Sequence, residues 1–302
     1  MNPILALIIT NLIWGAASPI FKFALQNIPP FTLAFIRFFF AGLIFVPLAL
    51  KHRQKINWQE LVRILWIGFF GITINISFFF LGLQKTESIN VPIIASSGPV
   101  FIYLFSILFL KEKPKLKVLT GMMIALVGVL IIIFSPVLFD GKKILLGEIV
   151  GNLFILIATL GMVFQTILSK DILKKINPYI VSTISFLFAS LTFLPLAINE
   201  LKIWDFSQLN IQGWTGIIFG VFFSSAIAYF CYYYGISKLP AQEVGIFAYI
   251  DPVIAVLIAM PLLGEFPSWF YLIGTLFVFG GIYWAEGRIH WHPFHRLKSR
   301  NV

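Results

Sequence analysis

The sequence predicts an all-α membrane protein made of two similar halves, and three observations support this prediction. Hydrophobic residues form 59% of the 302 residues, charged residues form 11%, and the mean hydropathy is +0.95. A soluble domain carries about 25% charged residues. The apolar residues fall into ten runs, each of about 20 residues, which is long enough for a helix to cross a bilayer. Finally, one pattern of prolines, glycines and glutamates occurs twice along the chain.

The ten apolar runs are separated by short polar segments, so we expect consecutive helices to be antiparallel neighbours. No basic region precedes the first run, and we interpret that run as a retained helix rather than a signal peptide. Prolines mark many of the joins. The runs cover roughly residues 3–25, 31–50, 62–83, 88–110, 116–137, 147–168, 179–198, 212–236, 241–263 and 268–287.

The net charge of +10 is distributed asymmetrically between the two ends of these runs. If the N-terminus is cytoplasmic, sixteen of the 22 Lys and Arg residues lie in inner segments and four lie in outer loops. Basic residues favour the cytoplasmic side of a membrane. We therefore predict a multi-pass protein of the plasma (inner) membrane with both termini inside. The charge then reflects orientation, and nucleic acid is not an expected partner.

The duplication is visible as two constant shifts in numbering. Each half contains Pro-Val, then Glu, Gly and Gly, and the two copies differ by 153 positions. A second shift, of 148, places Lys22 on Lys170. The first copy is Pro99-Val100, Glu112, Gly121 and Gly128, and the second is Pro252-Val253, Glu265, Gly274 and Gly281.

Each half contains five predicted helices, and an odd number makes the second half enter the membrane from the opposite side. The sequence therefore predicts an inverted repeat, a common plan for solute carriers. The predicted units are a first repeat at 1–138, an outer linker at 139–146, a second repeat at 147–288 and a basic cytoplasmic tail at 289–302.

Several of these motifs resemble the EamA domain of the drug/metabolite transporter superfamily. The segment Phe109-Leu110-Lys111-Glu112-Lys113-Pro114 and the segment Leu263-Gly264-Glu265, each followed by two glycines, look like its closing signature. Trp14-Gly15 and Ile36-Arg37-Phe38 match its opening. The resemblance covers almost the whole chain and implies the ten-helix, two-domain branch. It also implies secondary transport, usually export of amino acids or related metabolites.

The second half departs from the opening pattern of the EamA domain. Ser185 lies where Arg37 would be repeated, and the sixth helix contains no Trp-Gly. The chemistry of the two halves is therefore expected to differ even where their scaffold is shared.

Arg37 is the basic residue placed deepest in an apolar run. It lies about 10 Å inside, at 1.5 Å per helical residue. An arginine deep in a membrane helix costs about 2.5–3.5 kcal/mol on insertion scales, so a compensating interaction is expected. Arg37 could grip a substrate carboxylate. Alternatively, it could reach the membrane surface or bond to helix-end carbonyls.

Asp251 is the one acidic residue near the middle of a predicted helix. It lies about 15 Å from the inner end, near the bilayer midplane. Its carboxylate could carry a coupling proton or bind a substrate ammonium. Alternatively, it could cap the backbone next to Pro252, which lacks an N–H.

Pro99 and Pro252 occupy matching places in the two halves, and we predict that both act as hinges or kinks. Interrupted helices at matching positions often indicate a transport site. Ser97 precedes Pro99 and is counted among the expected cavity residues. A purely structural kink is the alternative.

Further cavity residues are predicted from helical spacing. Asn11, Trp14 and Ser18 share a stripe with Lys22, and Asn75 and Phe79 share one with Gly68, Gly71 and Gly82. We assign Asn11, Trp14, Ser18, Asn75 and Phe79 to the cavity, and the glycines to helix packing. A group of tyrosines suited to an amphipathic substrate completes the predicted set: Tyr229, Tyr232, Tyr233 and Tyr249.

Other polar residues are expected to be structural. We predict that Lys22 is an interfacial anchor, and that Glu112 and Glu265 satisfy N–H groups at helix ends. His290, His292 and His295 belong to a solvated basic tail, since no Cys or carboxylate joins them as a metal ligand. No cofactor or metal is predicted, and the expected state is a monomer or weak homodimer in lipid.

The resulting hypothesis is an exporter of amino acids or related amphipathic metabolites that works by alternating access, with possible proton coupling. A nucleotide-sugar carrier or a carrier of cations or polyamines is the alternative within the transporter class. An intramembrane lipid-modifying enzyme or a scramblase is the alternative outside it. The sequence contains no nucleotide-binding P-loop, which argues against an ATP-driven pump.

Overall fold

The structure, a computed structural model, describes residues 2–98, 100–101, 104–105, 116–139, 146–239 and 247–286. These residues form helices joined by short connections. In chain order, the elements are α1 (Pro3–Ala24), α2 (Pro30–Lys51), α3 (Trp58–Leu83), α4 (Asn90–Ala95), α5 (Leu116–Phe139), α6 (Leu146–Ile172), α7 (Pro178–Glu200), α8 (Ile211–Lys238), α9 (Ile250–Leu263) and α10 (Trp269–Glu286).

Six helical segments in the described part of the chain are long and apolar enough to cross a membrane. They are Pro3–Ala24, Pro30–Lys51, Trp58–Leu83, Gly147–Ile172, Pro178–Glu200 and Ile211–Lys238. Shorter apolar helical stretches lie at Leu119–Phe134, Phe247–Leu263 and Trp269–Gly281. The protein is therefore a helical membrane protein, while ten spans and the cytoplasmic termini remain predictions.

The helix starts follow local sequence chemistry. Asn2 and Asn177 accept hydrogen bonds from backbone N–H groups at the starts of α1 and α7, and a proline follows each of them. A proline in the first turn lacks an N–H that would have no partner there. At the start of α3, Asn57 and Glu60 form a reciprocal capping box.

α3 and α8 each contain a π-helical segment, at Phe69–Ile74 and Phe219–Ile227. These segments lie at comparable places in the two halves. A π-helical turn inserts extra residues into the helix and shifts the faces of the residues that follow. This feature was not predicted from the sequence.

The two halves interlock. α1 packs against α8 and α9 of the other half, and α6 packs in the same way against α3 and α4. α2 packs against α7, and α5 packs against α10. Each of these contacts joins one half to the other, so the space enclosed between α1 and α6 is bounded by both.

The repeated glycines allow close contact between α5 and α10. A Cβ atom built on Gly128 would lie 2.5 Å from the carbonyl oxygen of Gly274, and one built on Gly281 would overlap the backbone of Gly121. Small residues at such contacts let helix backbones approach closely. The repeated glycines thus contribute to packing between the halves.

Candidate functional site

A cavity of about 210 Å³ lies between the two halves. Helices α1, α2, α3, α4, α6, α8 and α9 all contribute to its lining. Nine of the predicted site residues lie in this lining: Asn11, Trp14, Ser18, Arg37, Asn75, Phe79, Tyr229, Tyr232 and Asp251. The structure therefore brings together residues that are up to 240 positions apart in the sequence.

On α1, the lining residues Asn11, Trp14 and Ser18 recur at helical spacing and face the cavity together. The ring of Trp14 lies 5.2 Å from that of Tyr229 and 4.9 Å from that of Tyr232, measured between centroids. Its indole N–H donates to the carbonyl oxygen of Ser224 at 3.2 Å. Trp14 is thus fixed by α8 and forms an aromatic wall of the cavity.

Arg37 is almost completely buried, with 2% of its surface exposed. Its Nε donates to Ser225 Oγ at 2.6 Å, and its Nη2 donates to Ser224 Oγ at 2.9 Å. Its guanidinium carbon lies 4.8 Å and 4.6 Å from the ring centroids of Phe21 and Phe38. Cation–π contacts of this kind stabilise a cation in apolar surroundings.

These contacts leave part of the guanidinium unused. The Nη1 atom of Arg37 is buried and has no hydrogen-bond partner within the described residues, and Arg37 forms no ion pair there. The side chain of Arg37 does not extend to the membrane surface, because it bonds to α8 inside the bundle. Its surroundings hold the guanidinium rigidly while one nitrogen remains available.

The π-helical segment of α8 supplies the groups that hold Arg37. Ser224 and Ser225 both lie in this segment, and the carbonyl oxygen of Ser224 accepts from both Trp14 and Arg37. A π-helical turn changes the regular backbone pairing, and such turns are frequent at functional sites. The π-helical segment of α8 therefore lies where α8 bonds to Arg37.

Asp251 lies in the first turn of α9, directly after a 3₁₀ turn at Phe247–Tyr249. Its Oδ1 atom is buried, and no described residue bonds to it. The positive end of a helix dipole favours a carboxylate at such a position. The regular α-helix begins at Ile250, and the expected depth of Asp251 near the bilayer midplane stays a prediction.

The Trp14-Gly15 motif explains how α9 reaches the cavity. A Cβ atom built on Gly15 would lie 2.9 Å from Asp251 Cα and 2.8 Å from Ile254 Cβ. A larger residue would push α9 away from α1. Trp14 then faces the cavity while its neighbour allows Asp251 to approach.

Matching breaks occur in the two halves. In the first half, α4 ends at Ala95, and a turn at Ser96 and Ser97 leads to Gly98. In the second half, the 3₁₀ turn leads to Asp251, which the shift of 153 pairs with Gly98. Both Gly98 and Asp251 line the cavity. Pro252 lies in the first turn of α9, where its missing N–H costs little, and Pro99 lies outside the described residues.

Three predicted site residues are absent from the cavity lining. Ser97 donates its hydroxyl to the carbonyl oxygen of Ile94. Tyr233 is fully buried and its hydroxyl accepts from Gln165 at 2.7 Å. The ring of Tyr249 packs edge-on against Phe279 at 5.4 Å. None of the three lies in the lining of this described cavity, and their role as substrate-binding residues stays a prediction.

That α6 lines the cavity was not predicted from the sequence. Ile155, Thr159, Met162, Val163 and Thr166 form a lining stripe at helical spacing. The Thr166 hydroxyl lies 2.8 Å from that of Tyr232 and so fixes one wall of the site. Thr159 and Thr166, two polar residues spaced by seven positions in an apolar run, could have indicated this lining face in the sequence.

Lys22 is not simply an interfacial anchor. Its Nζ atom lies 2.8 Å from Glu265 Oε1 and donates to the carbonyl oxygen of Thr86 at 2.6 Å. Glu265 also accepts from the backbone N–H groups of Ser88 and Ile89. The predicted helix-end role of Glu265 therefore serves the start of α4 rather than that of α10.

The sequence also singled out several other polar residues. Ser185, which occupies the repeat position of Arg37, is buried against α3. Glu112, His290, His292 and His295 lie outside the described residues.

A cavity between interlocked halves, carrying one basic and one acidic residue in its described lining, is typical of a solute carrier. The comparisons with known proteins agree. The model of the EamA-like transporter family matches residues 1–134 and again 149–286. The chain therefore belongs to the EamA-like transporter family and contains two EamA domains.

Relatives of this chain are similar over most of its length. An uncharacterized transporter of Bacillus subtilis, YetK, is 28% identical over 272 residues, which cover 89% of this chain and 82% of YetK. An uncharacterized transporter of Archaeoglobus fulgidus is 27% identical over 286 residues, covering 94% and 98%. One solved structure shares the fold with a TM-score of 0.66 at 19% identity, covering 94% of this chain and 96% of that one. The protein is thus a membrane transporter of the drug/metabolite superfamily and not an enzyme.

Proposed function

We propose that this protein is a secondary active transporter that exports amino acids or related small amphipathic metabolites by alternating access. The observation that carries the proposal is the pair of charges in the cavity. Arg37 and Asp251 are the one basic and the one acidic residue of its described lining, and neither is in an ion pair with another described residue.

Arg37 supplies a site for a carboxylate. Two of its nitrogens are held by α8, and the third is a buried donor to which no described residue offers an acceptor. A guanidinium fixed in this way loses little conformational freedom when it binds an anion. A substrate carboxylate would complete its hydrogen bonding.

Asp251 supplies a site for an ammonium group or a coupling proton. A buried carboxylate without a partner is costly, and either ligand would lower that cost. Trp14, Tyr229 and Tyr232 offer ring faces to the apolar part of a substrate. A zwitterion with an apolar side chain satisfies all of these groups together.

The packing pattern supports alternating access. The contacts of α1 with α8 and α9 correspond to those of α6 with α3 and α4. Two halves with equivalent contacts and opposite orientation can exchange conformations, so that the cavity opens to each side in turn. A nucleotide sugar or a polyamine would need more cations or more acids than this lining provides.

The sharpest test combines substitutions of the two charged residues with ligands that lack either the carboxylate or the ammonium group. Thermal-shift titration of the purified protein with amino acids identifies a ligand and its dissociation constant. Removing the carboxylate partner should weaken binding of the amino acid at least tenfold in Arg37→Gln, about 1.4 kcal/mol. The same variant should bind the matching amine, which lacks a carboxylate, as the wild type does.

The reciprocal result is expected for the acid. Asp251→Asn should weaken binding of the amino acid and leave binding of the matching carboxylic acid unchanged. Arg63→Gln and Asp171→Asn are matched controls, because both residues are exposed and outside the cavity. Unchanged amino-acid affinity in both cavity variants would refute the assignment.

A further inference from the structure

Lys22 and Glu265 lie in a bonded network that joins separate parts of the chain. Lys22 lies in the last turn of α1, Thr86 and Ser88 lie between α3 and α4, and Glu265 lies between α9 and α10. Glu265 Oε1 pairs with Lys22, while its Oε2 accepts from the Ser88 backbone N–H at 2.7 Å and hydroxyl at 2.6 Å. One carboxylate thus connects three segments.

The network extends to a fourth segment. The Thr86 hydroxyl donates to Asn152 Oδ1 on α6, and Asn90 donates to the same hydroxyl at 3.3 Å. Lys22 reaches the Thr86 carbonyl oxygen. Residues of both halves are therefore held together at one end of the bundle.

This end lies directly beyond the cavity. Lys22 follows the lining residue Phe21 and is one helical turn beyond Ser18. Ser88 and Ile89, which Glu265 holds, lie three and two residues before Val91, the first lining residue of α4. Glu265 lies at the end of α9 opposite to Asp251, about 20 Å away at 1.5 Å per residue.

Aromatic rings pack around Phe21, the residue that precedes Lys22. The Phe21 ring lies 6.2 Å from that of Phe79, 5.2 Å from that of Phe80 and 5.5 Å from that of Phe219, measured between centroids. These rings come from α1, α3 and α8. Phe21 and Phe79 line the cavity, and Lys22 directly follows Phe21, so this end of α1 carries first an apolar ring and then the ion pair.

The exposure of the pair suits a contact that opens. Glu265 is 9% exposed and Lys22 is 27% exposed, so the pair is dry on one side and close to water on the other. Removing one partner of a buried pair leaves a charge uncompensated, and this is unfavourable while the site stays closed. When water enters, both groups are solvated and separating them costs little.

We propose that the Lys22–Glu265 pair is a gate that closes the cavity at the end of α1, and that it breaks when the cavity opens to that side. The gate rests on the proposed transport function, since only alternating access requires the cavity to open there. The predicted topology places this end on the outer face of the membrane.

The test measures water access to the cavity without any substrate. Cys231, the one cysteine of the sequence, is replaced by serine, and Ser18→Cys places a reporter thiol in the cavity lining. Right-side-out and inverted vesicles are treated with a membrane-impermeant methanethiosulfonate. Lys22→Gln and Glu265→Gln should each raise the labelling rate about tenfold from the Lys22 side, and from that side alone.

The double variant provides an internal check on the pairing. If the two residues act through one contact, Lys22→Gln/Glu265→Gln should be labelled about as fast as either single variant. Glutamine keeps the length of glutamate and an oxygen that can accept from Ser88. Lys85→Gln, which changes an exposed neighbour in the same connection, should behave like the parent protein.

Two outcomes would overturn the gate. One is an unchanged labelling rate in both gate variants. The other is a similar rise from both sides of the membrane, which would indicate general loosening of the bundle. Neither outcome depends on ligand affinity, so failure of the gate is distinguishable from failure of the amino-acid site.

Discussion

At the residue scale, the arrangement of Arg37 shows how a cation can be kept inside an apolar bundle. Two serine hydroxyls and two phenylalanine rings surround the guanidinium, and α8 provides the serines from its π-helical segment. These contacts depend on the planar, forked geometry of arginine as much as on its charge.

Arg37→Lys is therefore expected to behave as a loss of function even though it keeps the charge. A lysine ammonium carries its three donors on one nitrogen and cannot reproduce the spacing by which Nε and Nη2 of Arg37 bond to Ser225 and Ser224 while Nη1 faces the cavity. We expect ligand affinity to fall at least tenfold, or about 1.4 kcal/mol, in thermal-shift titration. Wild-type affinity in Arg37→Lys would show that charge alone is sufficient.

The sequence predicted Arg37 and Asp251 as notable residues because charges are expensive in a membrane. It could not predict which tyrosines face the cavity. Tyr229 and Tyr232 line it, whereas Tyr233 packs away from it. These tyrosines follow the π-helical segment of α8, which shifts helical faces in a way that simple spacing does not capture.

At the element scale, the contact between α5 and α10 depends on glycines that the repeat pattern identified. The sequence showed these glycines as a repeated pattern, and small residues at matching places favour helix packing. The break at the start of α9 was anticipated only as a kink at Pro252. Its 3₁₀ geometry depends on tertiary contacts with α1, which a local pattern does not contain.

Adjacent glycines in α10 allow a matched test of this contact. A methyl group at Gly281 would overlap the backbone of Gly121 and Ala125, while one at Gly280 would meet open space. Gly281→Ala should lower the thermal stability of the purified protein, with overpacking costing about 1–3 kcal/mol.

Gly280→Ala is the control for that substitution. Alanine is the better helix former by up to about 1 kcal/mol, so stability should be unchanged or slightly raised. Equal melting temperatures for Gly280→Ala and Gly281→Ala would contradict the close packing of α5 against α10.

At the scale of the whole molecule, the duplication accounts for both the scaffold and the site. The halves share their packing pattern, their paired helix breaks and their π-helical segments. They differ where the chemistry lies: Arg37 corresponds to Ser185, and Asp251 corresponds to Gly98. Most shared residues maintain the fold, and the unshared ones give the cavity its two charges.

The sequence predicted the helical membrane fold and the two domains because hydrophobic runs and repeats are properties of the chain itself. The Lys22–Glu265 contact was not predicted, because it joins residues 243 positions apart and neither local motif refers to the other. Each residue was interpreted alone, one as an anchor and one as a helix-end acceptor. Only the packing of α1 against α9 brings them together.

Substrate counterflow in proteoliposomes tests the central claim most directly. Purified protein is reconstituted in vesicles preloaded with an unlabelled amino acid, and entry of the labelled amino acid is followed. We expect transient, saturable accumulation in the wild type, and its loss in Arg37→Gln and Asp251→Asn but not in Arg63→Gln. Flux that rises linearly with concentration, or that is the same in the cavity variants and the wild type, would contradict transport through this site.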